Sequence, residues 1–423
     1  MLAPSKMGRV PITAGPDFAS TAAIGGGDGR GSAMGGTLKR RTFMAAAAAS
    51  AMPYVGARAA EPLLIAIATP LTGSSGAMGL NGNRGAEIAT AAINAAGGIG
   101  GRPLKFELFD DRGTPQDAAT VAQRIVGDED KYFAVCGHVN SSSTLAAMPI
   151  YADAGTPVLC PSSSNPSITE QGWKNFIRLT GRDDYGAQEY SGFMINNLKK
   201  KKLGIFFVNN DFGRGLRNEV VKAVNVLQGQ LVAEGTFTPN VDRDFQPVIA
   251  QMKAAGVEGV MLMTEYTEGG LFLAQAKDAG LTGIPVVGPD SNLYDKYIEL
   301  ALGNAEGSYI LAAYDPFSDS KLTQSFLADY RAKYNSLASQ VAVFTHDILW
   351  IVKEAVEKHG ATRATLIDTV KAMNFTGVGG AYAWTAKGDT KNRTHFVLQV
   401  KGGQFVSTGV KIDETGLEAL RKA

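Results

Sequence analysis

The chain is 423 residues long, with 41 Lys and Arg against 40 Asp and Glu, 50 Gly and two Cys. Single hydrophobic cores stop growing at roughly 250 to 300 residues, so this length implies two domains. The near-neutral balance gives no electrostatic reason to bind nucleic acid, and past the N-terminus no run stays apolar for the ~18 residues that a membrane span requires.

The first distinctive segment is "TLKRRTFMAAAAASAMPYVGARAAEP", in which Arg40 and Arg41 precede an Ala-rich run from Phe43 to Val55 and a small-residue cleavage pattern at Ala57-Arg58-Ala59. This is the layout of a secretory signal, and the paired arginines followed by Phe43 resemble a twin-arginine export signal. The alternative is an Ala-rich surface helix with a basic flank. Met34 is a more ordinary start than Met1, so residues 1 to 33 are not counted on as translated. Seven basic residues (Lys6, Arg9, Arg30, Lys39, Arg40, Arg41, Arg58) and two acids (Asp17, Asp28) precede the expected cleavage after Ala59, so the mature chain of 364 residues carries a net charge of −4. With no cysteine near the cleavage site to take a lipid anchor, the mature protein is expected to be free in the periplasm.

From Leu63 onward, strand and helix patterns alternate. "LLIAIATP" reads as a strand, followed by a helix over about 83–96 that Gly97 and Gly98 close, where a helix C-terminus favours glycine. Next come "LKFELFDD", a helix near 115–126, "YFAVCGH", a helix near 142–154, and "TPVLCPS". Near-continuous apolar strands joined by helices predict a parallel sheet with helices on both faces. After "NFIRLTGRDD" a second unit begins: "KKLGIFFVNN", a helix over 215–227, "GQLVAEGTF", a helix near 245–255, "VEGVMLMT", a helix near 269–279, and "GIPVVGPD". A helical section over 322–373 follows, and "GAYAWTAKGDTKNRTHFVLQVKGGQFV" reads as closing strands. The fold class is therefore α/β, with two doubly wound parallel-sheet lobes. Cys136 and Cys160 each close a short apolar run, which predicts buried thiols; a disulfide requires those strands to be neighbours with suitable geometry.

The chemistry concentrates at strand ends. The run Ser141, Ser142, Ser143, Thr144 follows the Cys136 strand and opens a helix, and Ser162, Ser163, Ser164 follow the Cys160 strand. Hydroxyls beside the unpaired N–H groups of a helix start make an anion site, and two adjacent clusters are better explained by one shared ligand than by two caps. For any single serine, capping and local turns remain the alternative. Asp183 and Asp184 lie just after the first unit, Asp290 ends the strand "GIPVVGPD", and Glu265 and Tyr266 follow "GVMLMT". A carboxylate facing a cavity binds an ammonium group through a charge-assisted hydrogen bond. Hydroxyls and amides for a carboxylate, with one or two acids for an amine, are the parts of an α-amino acid site. Asp110 and Asp111 read as a polar strand exit. Enzyme signatures are absent: the sequence has no Walker loop, GxSxG, HExxH or CxxC, and "GGIGG" at 97–101 follows a helix, not a strand. His138 stands near enough in sequence to serve Ser141 as a base, but no orienting acid or oxyanion hole is legible.

The stretches "IAIATPLTGSSGAMGLNGNRGAEIATAAINAAGGIGGRPLKFELFDDRGTP", "CGHVNSSSTLAAMPIYADAGTPVLCPSSSNPSITEQG", "FIRLTGRDDYGAQ", "NNDFGRGL", "AKDAGLTGIPVVGPD" and "WTAKGDTKNRTHFVLQV" resemble, in the right order, the family of periplasmic leucine/isoleucine/valine-binding proteins. These are the type I substrate-binding components of ABC importers. The resemblance implies two lobes joined by three crossovers, with 61–182 plus 314–395 in the first and 183–313 plus 396–423 in the second. It matches Ser141, Ser162 and Ser164 to the carboxylate-binding positions. Asp183 and Asp290 match the positions that bind the amine, Asp290 standing where near relatives have Glu. Tyr266, or its neighbour Glu265, matches a wall position of the second lobe. Met78 stands where leucine-type binders often have an aromatic, and Phe212 where they often have Tyr, so the apolar pocket is reshaped. Gly113 and Asn140 occupy positions where some members have a disulfide pair. The implied function is capture of a branched-chain or related amino acid by a monomer that catalyses nothing, takes no cofactor or metal, and hands its solute to a membrane permease with a separate ATPase. The alternatives are the same fold binding urea, a short amide or an aromatic acid, or serving as a sensor.

Overall fold

The computed structural model describes residues 60–128, 131–391 and 394–420. The export signal expected over 1–59, with its start at Met34, lies outside the described residues.

Five strands, β1 (Leu63–Thr69), β2 (Leu104–Asp110), β3 (Ala134–Gly137), β4 (Val158–Cys160) and β5 (Phe176–Arg178), form an all-parallel sheet in the order β2-β1-β3-β4-β5. β1, "LLIAIAT", lies between two neighbours and is buried on both faces, whereas the edge strand β2 is only partly covered. The connecting helices are α1 (Gly76–Ala95), α2 (Pro115–Gly127), α3 (Ser141–Asp153) and the short α4 (Ser167–Glu170).

The second sheet holds β6 (Lys202–Val208), β7 (Gln230–Phe237), β8 (Gly259–Met263), β9 (Val286–Pro289) and β10 (Tyr309–Ala312), all parallel, with β13 (Phe396–Lys401) and β14 (Gln404–Ser407) added antiparallel. Its order is β14-β13-β10-β9-β8-β6-β7. Helices α5 (Asp183–Gly192), α6 (Asp211–Val226), α7 (Gln246–Ala254), α8 (Tyr266–Asp278) and α9 (Asp295–Leu300) accompany it. The stretch between β10 and β13 carries α10 (Lys321–Tyr334), α11 (Gln340–His359), α12 (Leu366–Ala372) and a hairpin, β11 (Phe375–Gly377) and β12 (Gly380–Tyr382). α10 and α11 pack on α1, and α12 on β5, so this section returns to the first sheet. The molecule is thus two doubly wound α/β lobes.

The α1–α11 contact depends on a missing side chain: a Cβ on Gly85 would sit 2.1 Å from the Ala342 carbonyl oxygen. α1 begins seven residues before the spacing predicts. Its first turn has no capping side chain, and a Cβ on Gly79 would meet the Pro70 carbonyl oxygen at 1.8 Å, so packing against the β1 exit sets this start. α6 also begins earlier than predicted, because the Asn210 side chain caps it by accepting from the Gly213 N–H at 3.0 Å. The strand within "NFIRLTGRDD" is β5, which ends at Arg178, and Asp183 opens α5.

Both cysteines are buried and unbridged. β3 and β4 are neighbours, but their register sets Cys136 against Leu159. Cys160 is one residue further on and points to the opposite face of the sheet. Accordingly Cys136 packs with Ile67 and Leu159, while Cys160 packs with Met148 and Tyr151.

Candidate ligand-binding site

Strand order reverses between β1 and β3 in the first sheet and between β6 and β8 in the second. Open α/β sheets bind ligands in the crevice outside the carboxyl ends of their strands at such reversals. Here the two crevices face each other across one small cavity of about 30 Å³. The first lobe lines it with Met78, Val139, Asn140, Ser141, Ser162 and Ser164, with Gln340 at the start of α11. The second lobe adds Phe212, Glu265, Asp290 and Ser291.

The serines divide their labour. Ser141, Ser162 and Ser164 line the cavity. Ser163 pairs with Thr144 at 2.7 Å and donates to the His138 and Val139 carbonyls, tying the two serine loops together. Ser142 accepts the Asp211 N–H at 3.0 Å from the opposite lobe. α3 starts at Ser141, and its first intrahelical bond is made by the Thr144 N–H, so the dipole's positive end and unpaired N–H groups accompany the hydroxyls. Hydroxyls and unpaired N–H groups at a helix start are the kind of donors that suit an anion.

The other wall is acidic. Asp290 follows β9, and burial pushes its carboxyl up to about 6, with the positive field of His395 acting the other way. Asp183 does not line the cavity but lies directly behind it. Its N–H bonds the Ser164 carbonyl at 3.0 Å, it is 5% exposed, and its Oδ2 has no partner. Burial raises this carboxyl to about 7, against a lowering hydrogen bond from Ser164 and the charge of Arg178, while Asp290 adds to the rise. Burial pulls the His395 imidazole down, but Glu189, Asp290 and Asp183 outweigh it, so its net shift is upward. Carboxyls held this high ionise readily once a cation arrives.

Of the two neighbours matched to the second-lobe wall, Glu265 is the one that lines the cavity. It ends the chain segment leaving β8, accepts from Asn140 Nδ2 at 2.8 Å and is bonded by the Ser75 hydroxyl, both in the other lobe. Burial raises its carboxyl to about 7. Tyr266 instead bridges the lobes, accepting the Ala77 N–H at 3.1 Å while its ring packs on Tyr294. Thr267 donates to the Ser74 carbonyl, and the Asn165 amide to the Asp211 carbonyl, so the lobes are closed on each other around the cavity. Sequence reasoning missed Asn140 and Gln340; each directly precedes or opens a helix, a place where polar residues ordinarily read as caps.

Asp111 falls differently from the sequence reading, and Asp110 does not. Asp111 is fully buried and bonds His138 Nδ1 at 2.5 Å, while His138 Nε2 lies 3.2 Å from the Tyr151 hydroxyl. The orienting acid therefore exists, but both imidazole nitrogens are engaged away from Ser141, whose hydroxyl accepts from the Asn165 N–H. Asp110 holds the β1 exit by accepting from the Leu71 N–H and the Thr72 hydroxyl. Among the described residues no cluster of His, Cys, Asp and Glu has the makings of a metal site, and no helix is long and apolar enough to cross a membrane.

The chain is similar to several known proteins. A leucine-, isoleucine-, valine-, threonine- and alanine-binding protein of Pseudomonas aeruginosa is 31% identical over 353 residues, covering 83% of this chain and 93% of that protein. The branched-chain amino acid transporter substrate binding protein LivJ from Streptococcus pneumoniae, solved in complex with isoleucine, superposes with a TM-score of 0.76 at 27% identity, covering 82% of this chain and 98% of that one. A solute binding protein from R. palustris in complex with benzoate has a TM-score of 0.75 at 21% identity over 82% of this chain and 96% of its own, a likeness of fold alone. The family model described as "Periplasmic binding protein" matches residues 62–404, and with the relatives above it establishes that this chain belongs to the periplasmic binding protein family, among the branched-chain amino acid transporter members.

Proposed function

We propose that the protein captures an α-amino acid between its lobes in the periplasm and delivers it to a permease driven by a separate ATPase, catalysing nothing itself. The observation that carries this reading is the pairing of walls in one cavity: serine hydroxyls at a helix N-terminus on one side, buried carboxyls on the other. An α-carboxylate and an α-ammonium group are complementary to these two walls. Ser141, Ser162 and Ser164 take the carboxylate, Asp290 and Asp183 the ammonium, and Met78 and Phe212 flank the side chain, with Tyr266 helping to hold the lobes together. Relatives that bind isoleucine, or leucine, valine and threonine by name, support the amino-acid class. Urea and short amides lack both charged ends, and aromatic acids lack the ammonium.

The lobes in this reading are 61–182 plus 314–395 and 183–313 plus 396–423, working as a monomer, and the paired arginines at 40 and 41 direct export of a chain cleaved after Ala59. A cavity of about 30 Å³ holds roughly two waters, so the lobes part to admit the ligand and close over it. Thermal unfolding against amino acids, amides, urea and aromatic acids tests the ligand class. A ligand at 100 times its Kd adds ~2.7 kcal/mol. A shift confined to amides or aromatic acids removes the roles of Asp183 and Asp290. Asp290→Ala should weaken amino-acid binding by ~2 to 5 kcal/mol, the cost of losing a buried charged partner. Small-angle scattering tests closure: no compaction on adding the stabilising ligand refutes it.

A further inference from the structure

We propose that the ligand's side chain ends in a hydrogen-bond donor received by Glu265, so that the site selects a donor-bearing amino acid over an aliphatic one. This rests on the reading of the cleft as an α-amino acid site and deepens it.

Only Met78, Val139 and Phe212 give the cavity apolar side chains; its remaining wall is serine, amide and carboxylate. Asp290 and Asp183, one on the wall and one behind it, already offer more acceptor sites than the three N–H bonds of one α-ammonium can use. Glu265 is a further carboxylate on the same wall, leaving the strand next to the one that ends in Asp290. An ionised carboxylate has about four acceptor positions, and a protonated one keeps part of that capacity. Ser75 and Asn140 supply Glu265 with one donor each across the cleft. The Gln340 side-chain oxygen, on a residue 1% exposed and lining the same cavity, has no partner. Unfilled acceptor capacity on two lobes converges on one small space, and a ligand fills it with a second donor group beyond the α-ammonium. An aliphatic branch in that space covers these oxygens without bonding them, which is how a polar site rejects an isostere lacking the donor.

The test is calorimetric titration of the purified protein with three isosteric pairs: threonine and valine, asparagine and leucine, ornithine and norleucine. We expect the donor-bearing member of at least one pair to bind about tenfold or more tighter than its isostere, a conservative share of the discrimination available to a matched polar site. The pair that discriminates names the donor as hydroxyl, amide or ammonium. Glu265→Leu should collapse that ratio to about threefold or less. Glu265→Gln, which preserves shape and guards against a folding defect, should keep a hydroxyl preference but lose an ammonium one. Thermal unfolding without ligand verifies that both variants fold. Aliphatic members binding as tightly as their partners in the wild type would overturn the proposal while leaving the amino-acid site intact. A ratio unchanged in Glu265→Leu would overturn it too, since another group would then discriminate. If no α-amino acid binds, this proposal falls together with the reading beneath it.

Discussion

Arg178 does not line the cavity, yet its loss should be among the most damaging single changes near it. The side chain is fully buried at the end of β5 and bonds Asp389 through Nε at 2.7 Å and Nη2 at 2.6 Å. Its Nη1 donates to the Ser163 and Asn165 carbonyls at 3.1 and 2.9 Å, and Nη2 to Thr169 at 2.9 Å. Arg178→Met keeps much of the volume but leaves a buried carboxylate and two loop carbonyls without their donor. Breaking a buried ion pair from one side costs roughly 3 to 5 kcal/mol. Arg182, whose Nη1 lies 3.3 Å from the other Asp389 oxygen, retains part of the compensation. We therefore expect the lower end, about 3 kcal/mol, which lowers the melting temperature by about 6 to 12 °C for a lobe-sized unit. Urea and thermal unfolding of Arg178→Met, Asp389→Asn and the double variant measure this. The double variant should be more stable than Arg178→Met alone, because the neutral amide that replaces the Asp389 carboxylate needs no counter-charge. Ligand affinity should fall in Arg178→Met as well, since the loop it holds presents Ser162 and Ser164. A loss under about 1 kcal/mol, or a double variant no better than the single, would refute the reasoning.

Burial raises the Asp183 and Glu265 carboxyls to about 7 and Asp290 to about 6. The folded, unliganded protein thus holds protons there that the unfolded chain has released, so these groups lower stability as pH rises from about 4 to 7, with no further change above. Urea unfolding at pH 5 and pH 8 should show a smaller fall between the two for Asp290→Asn combined with Glu265→Gln than for the wild type; an equal fall contradicts the assignment. Gly85→Ala should destabilise by at least ~2 kcal/mol, because its Cβ would strike the Ala342 carbonyl oxygen, while Gly127→Ala, at the open end of α2, should be neutral or slightly stabilising in the same melts. The thiols of Cys136 and Cys160 should resist an aromatic disulfide reagent in the native protein and react as two equivalents after denaturation without reductant. Fewer than two equivalents would mean they are bridged.

The β/α alternation and both sheets were legible because parallel strands buried on two faces write long apolar runs, as "LLIAIAT" and "KLGIFFV" do. Helix starts were less so. The α1 start is fixed by glycines packed against main chain, which carry no periodic signal, and the α6 start by a single Asn. Serines at two strand ends mark the cavity in the sequence itself. Which of seven adjacent hydroxyls face it and which tie loops together depends on helical rotation and on contacts like Thr144 with Ser163. The choice between Glu265 and Tyr266 was beyond the sequence for a similar reason: one residue of shift at the β8 exit decides which side chain enters the cavity. The thiols needed the β3–β4 register, which apolar patterning leaves open.

Of the cross-cleft bonds described above, four involve a main-chain group on one side: those of Ala77, Ser74 and both polar atoms of Asp211. Main-chain groups persist through substitution, so much of the clasp survives changes to the side chains that line the cavity. Cavity positions such as Met78 and Phe212 carry none of these four bonds and can change without disturbing them, whereas Glu265 holds two further cross-cleft bonds and cannot. In that sense the main-chain part of the clasp is inherited separately from the apolar lining of the cavity, and divergence of that lining does not require passing through forms that fail to shut.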